Sequence, residues 1–69
     1  MSSIVDMSSI VKAYCLQEGY FATNKRNDEI VCLILKCKAT DEEMWIVESE
    51  NRIYSEFASN LENPYYYED

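Results

Sequence analysis

The sequence predicts an α+β domain: a helix, a three-stranded antiparallel sheet and a second helix, with both helices on one sheet face. Three observations predict it. Apolar residues recur at helical spacing towards both ends of the chain, and three β-rich runs lie between them. The gaps between those runs are far shorter than the dozen or so residues a parallel crossover needs, so the strands should pair as hairpins.

The first helix is read over Ile4 to Glu18. Ile4, Met7, Ile10, Val11, Tyr14 and Cys15 share one stripe, and Ser3 with Asp6 resembles a capping box. Gly19 would supply the left-handed position that ends it. Met1-Ser2-Ser3-Ile4-Val5 recurs as Met7-Ser8-Ser9-Ile10-Val11, which reads as a duplicated start and makes the first six residues dispensable. Tyr20 to Asn24 is the first strand, and Lys25-Arg26-Asn27-Asp28 a polar turn. Glu29 to Lys38 is the clearest strand, its run from Ile30 to Leu35 suiting a central position covered on both faces. Ala39 to Glu43 is an acidic turn and Met44 to Glu48 the third strand, with Trp45 assigned to the core. Ser49, Glu50 and Asn51 offer N-caps to a second amphipathic helix carrying Ile53, Tyr54, Phe57, Ala58 and Leu61 on one stripe, stopped by Asn63-Pro64. Residues 1–64 then form a single compact domain, and 65–69 an acidic, tyrosine-rich tail.

Sixty-nine residues bury only roughly 60% of the unfolded surface, which makes stability marginal. A composition 48% hydrophobic and 13% aromatic is nevertheless that of a folded chain rather than a disordered acidic one. Three cysteines and no histidine argue against a disulfide scaffold and against zinc. No apolar run reaches the ~18 residues of a membrane span and no signal-peptide pattern is present. The expectation is a soluble protein of the cytoplasm, in a bacterial host.

Charge is the informative property. Residues 1–40 carry five basic against four acidic side chains, whereas residues 41–69 carry one against nine, so nearly all of the net charge of −7 lies in the last 29 residues. Crowding carboxylates costs self-repulsion, and a positively charged partner offsets it. Asp41, Glu42 and Glu43 form one expected anionic cluster, and Glu48, Glu50 and Glu56 a second. Tyr65, Tyr66 and Tyr67 with Glu68 and Asp69 form a terminal anchor of stackable rings beside anions. Catalysis finds no support: there is no His, no Gly-rich phosphate loop and no metal-ligand spacing, so no catalytic residue, metal or cofactor is assigned. Direct nucleic-acid binding is disfavoured by the same charge.

The segment Trp45-Ile46-Val47-Glu48-Ser49-Glu50-Asn51, the acidity and the expected element order resemble the small acidic anti-CRISPR proteins of phages and mobile elements, most of all inhibitors of Cas9. That resemblance implies a DNA mimic that fills the basic channel where a CRISPR effector, Cas9 or Cascade, reads its protospacer-adjacent motif. The alternative is an acidic protein-interaction module, antitoxin-like or an adaptor, that binds a basic partner unrelated to DNA. A third reading is a homodimer paired through a sheet edge or exposed aromatics.

Overall fold

The computed structural model describes residues 9–38 and 41–68, and the expected start of the first helix and the duplicated segment before Ser9 lie outside them. The described chain is nearly all strand: β1 (Ser9–Lys12), β2 (Phe21–Asn24), β3 (Glu29–Lys38), β4 (Glu43–Ser49), β5 (Arg52–Phe57), a 3₁₀ turn (Ala58–Asn60) and β6 (Leu61–Glu68). They form one antiparallel sheet in the order β1-β6-β2-β3-β4-β5. The α+β expectation is therefore corrected to an all-β architecture: of the expected first helix Ser9–Lys12 is strand and the following residues to Glu18 are loop, and the expected second helix is β5, a 3₁₀ turn and the start of β6.

Each correction has a local cause. Ile10 and Val11, read as part of a helical stripe, are β-branched and pair with Tyr67 and Tyr66 of β6. Glu50 and Asn51 are not a helix start. Both adopt positive φ (51° and 66°), the backbone of a two-residue hairpin turn, and they fold β5 directly back onto β4. Along β5, Tyr54 and Glu56 then point inward and Ile53, Ser55 and Phe57 outward, a period of two rather than 3.6. The expected tail is also strand: Tyr65 to Glu68 pair with Lys12 to Ser9. Asn63 (φ 54°) marks the irregularity that lets Pro64 sit inside β6, where a missing N–H is tolerated.

With no α-helix among the described residues to cover it, the sheet covers itself. β5 and β6 stand four places apart in the strand order, roughly 19 Å in a flat sheet. The chain from Phe57 to Leu61 spans at most about 14 Å. The sheet must curl, and β3 is where it bends. Its first half pairs with β2 and its second with β4, and Ile34 is an extra residue in the ladder. Curling brings β2 against β5 and the 3₁₀ turn: Lys25 N donates to Asn60 O at 2.7 Å, and Asn24 meets Tyr54 and Glu56. Ala22, Val31, Leu33, Trp45, Val47 and Leu61 fill the interior, with Leu16, Tyr20, Tyr54 and Ala58 packed against them. Trp45 lies in the core, and its indole N–H donates to Glu43 Oε2 at 3.0 Å.

Candidate partner-binding surface

The carboxylates divide into those the fold uses and those it presents. Glu56 is only 2% exposed and fully engaged. Its Oε1 accepts from Asn24 Nδ2 (3.0 Å) and faces Arg26 Nη1 (3.5 Å), while Oε2 accepts from Asn60 Nδ2 (2.7 Å) and Phe57 N (3.2 Å). Burial alone would push this carboxyl up. The hydrogen bonds from Asn60, Asn24 and Phe57, with the Arg26 charge, outweigh it and hold the group below its ordinary value. Glu56 thus ties β5 to β2 and to the 3₁₀ turn and does not face a partner.

Glu43 is half-buried between the Trp45 indole and Lys36 Nζ, 3.7 Å away. Glu29 holds Arg52 at 2.8 Å and accepts from Ser49 Oγ, while Arg52 lies over the Tyr54 ring. Asp41 and Glu42 are exposed in the β3–β4 connection, Glu48 on the outer sheet face and Glu50 in the β4–β5 turn. The two expected clusters are not one patch. Asp41 to Glu43 and the pair Glu48 and Glu50 stand towards opposite ends of β4, about 20 Å apart along a seven-residue strand, while Glu56 pairs across from Trp45 near the first group. Asp69 lies outside the described residues.

The tyrosines divide by the pleat. Tyr66 faces the hollow side, stacked on Tyr20 with ring centroids 4.8 Å apart. It forms one wall of a shallow, open hollow of about 490 Å³ beneath the Val11–Gln17 segment, where no carboxylate projects. Tyr65 and Tyr67 lie on the outer face with Phe21, in register with Tyr65 across the β2–β6 pair. Phe21 stacks on Tyr65 at 5.6 Å, and Tyr67 stands edge-on to both, at 5.3 and 5.7 Å. Burial first, then the neighbouring Tyr67 hydroxyl, pushes the Tyr65 phenol up.

Sequence reasoning missed Ile10, Phe21 and Ile30 as surface residues and left Glu62 out of the candidate contacts. Ile30 pairs with Thr23, and Glu62 with Thr23 from the other side, so both share the aromatic face. The alternation Phe21-Ala22-Thr23-Asn24, with Ala22 and Asn24 buried, was the available signal. On the same face Cys32 lies between Phe21 and Glu48, and burial and then the Glu48 charge push its thiol up. Among the described residues no group of three or more His, Cys, Asp or Glu side chains could hold a metal, and no helix is long and apolar enough to cross a membrane. In comparisons with protein-family models, curated proteins and solved structures, no match to this chain was found.

Proposed function

We propose that this chain is an acidic protein-binding module that docks on a basic protein surface. One observation carries this. Arg26, Lys36 and Arg52 are absorbed by Glu56, Glu43 and Glu29, while Asp41, Glu48, Glu50, Glu62 and Glu68 form no salt bridge among the described residues. Local neutralisation is directed at the carboxylates the fold needs, and the outward ones keep their full attraction for a cationic partner. We read the function as binding rather than catalysis: Glu56, held below its ordinary pKa, is enclosed and accepts three hydrogen bonds from the chain itself.

A narrower second reading is favoured by the spread of charge. Carboxylates at both ends of β4, about 20 Å apart, span a length comparable to several successive phosphates of a nucleic-acid strand. The surface occupied would then be a nucleic-acid site, and a CRISPR effector in a bacterial cytoplasm is the first candidate. The helix–three strands–helix order that helped carry the anti-CRISPR resemblance is absent, so this reading stands on charge placement and on Trp45 to Asn51 alone.

The test is a competition at fixed target DNA on guide-loaded Cas9 and Cascade effectors, at low and high salt, alongside retention on immobilised basic proteins. Displacement near one-to-one stoichiometry, weakened by salt and by the combined Asp41→Asn, Glu48→Gln and Glu50→Gln changes, supports both readings. Salt-sensitive retention without DNA displacement leaves the general module and removes the mimic. Flow-through on every basic surface at low salt overturns both.

A further inference from the structure

The outer face of the β1–β6–β2 half is the most exposed apolar surface that register and ring geometry define together. Ile10 and Tyr67 are directly paired at 63% and 50% exposure, and Ile30 on the neighbouring strand is 50% exposed. Phe21, Tyr65 and Tyr67 form one aromatic cluster between them, with centroids 5.3 to 5.7 Å apart. Apolar groups left out this far on a small domain mark an interaction surface.

Charge selects the occupant. Glu62, paired with Thr23, lies on the same face, whereas Glu68, next to Tyr67, falls with Tyr66 on the other side of the pleat. Glu48 shares the cross-strand row that runs Tyr65, Phe21, Cys32, Glu48. From Phe21, Glu48 is two strands away, about 10 Å. Glu62 and Glu48 outnumber Lys12 on this face, so two copies laid face to face would set one net anionic surface against another. A cationic side chain gains both features, ring faces and carboxylates. Between the two cations the rings favour arginine, because a planar guanidinium lies flat on a tyrosine and still forks to a carboxylate, whereas an ammonium is a compact and strongly hydrated point charge.

We propose that this face is an arginine-docking surface, on which a basic segment of a partner protein lays guanidinium groups over Tyr67 and Tyr65 and pairs them with Glu62 and, further along the row, Glu48. The inference rests on the proposed function and adds to it which face binds and which cation is preferred. Lys12, paired with Tyr65, is the one cation in that row and opposes such a ligand.

Oligoarginine and oligolysine peptides of equal length, titrated calorimetrically at low salt against the whole chain, separate the two levels. The expected result is arginine bound about tenfold more tightly than lysine. Tyr67→Leu should weaken arginine binding far more than lysine binding and so abolish the preference, and Tyr67→Phe should keep it. Lys12→Ala should tighten both about twofold. The melting temperature of each variant checks that the fold is intact. Equal affinity for the two peptides, with Tyr67→Leu indistinguishable from the parent, overturns the face and leaves the acidic module standing. Binding of neither peptide overturns both.

Discussion

Replacing Glu56 with glutamine is the most demanding test of how this fold is held. The substitution preserves shape but turns one carboxylate oxygen into an NH₂. Each oxygen of Glu56 faces only donors: Asn24 and Arg26 on one side, Asn60 and the Phe57 N–H on the other. Either placement of the amide therefore sets donor against donor. Asn24 and Asn60 each have an amide oxygen to turn inward, but Asn24 Oδ1 already takes the Arg26 N–H at 3.0 Å, and turning Asn60 still leaves the Phe57 N–H against the new NH₂. Losing a charged hydrogen bond costs about 1.5–3 kcal/mol, and an unsatisfied buried donor a further 1–3 or so. Arg26 is largely exposed, so its ion pair adds little. A loss of about 3 kcal/mol follows, against a total of roughly 3–10 kcal/mol for a chain of this length. The pH dependence has a definite sign. The folded carboxyl is held below its ordinary value of 4.5, so its stabilisation is complete above that pH and is lost as pH falls through the lowered folded value. Urea unfolding at neutral pH and down an acid series reads both effects. Glu56→Gln should unfold at lower urea and show a flatter acid limb. A variant within 0.5 kcal/mol or so of the parent, with the same acid limb, would refute the reasoning.

Other substitutions probe separate parts of the sheet. Leu33→Ala empties the interior beside the β3 irregularity and should cost about 2–5 kcal/mol by urea titration, enough to leave much of the population unfolded. Asn51→Gly relaxes a residue held at positive φ and should raise stability by about 0.5 kcal/mol, whereas Asn51→Val should lower it; thermal melts order the three proteins. Cys15 is exposed while Cys32 is half-buried with its thiol pushed up, so iodoacetamide at neutral pH should alkylate Cys15 first; peptide mapping with Cys32 leading would contradict the placement.

Much of the sheet was readable locally. β3 occupies the run Glu29 to Lys38 because a continuous apolar stretch rich in β-branched residues and a polar turn suffice to specify it, and β2 and β4 follow from similar signals. The ends of the chain were not readable, because their structure depends on partners remote in sequence. Ile10 becomes a strand residue by pairing with Tyr67, and nothing near Ile10 announces that. In β5 the stripe Ile53, Tyr54, Phe57, Ala58, Leu61 fits a helix until Glu56 is examined. A helix would put it in water, whereas the sheet encloses it among donors supplied by Asn24, Asn60 and the Phe57 backbone. The surface followed the same division. Exposure of Asp41, Glu42, Glu48 and Glu50 agrees with their places in turns and on an outer face. The aromatic face could not be read, since it is assembled from β1, β2 and β6, three strands joined only by long-range pairing.

That β6 follows all other described strands in the chain yet lies between β1 and β2 imposes an order on the protein's own synthesis. The hairpins β2–β3, β3–β4 and β4–β5 join neighbours and can pair as soon as they emerge. β1 has no partner until Leu61 to Glu68 arrives, and until then β2 offers an open edge. A nascent chain therefore waits with Ile10 and Phe21 uncovered on two unpaired segments, its period of greatest vulnerability to wrong association. β6, the last described strand to emerge, fills the gap between β1 and β2, so the aromatic face comes into being only once it has docked.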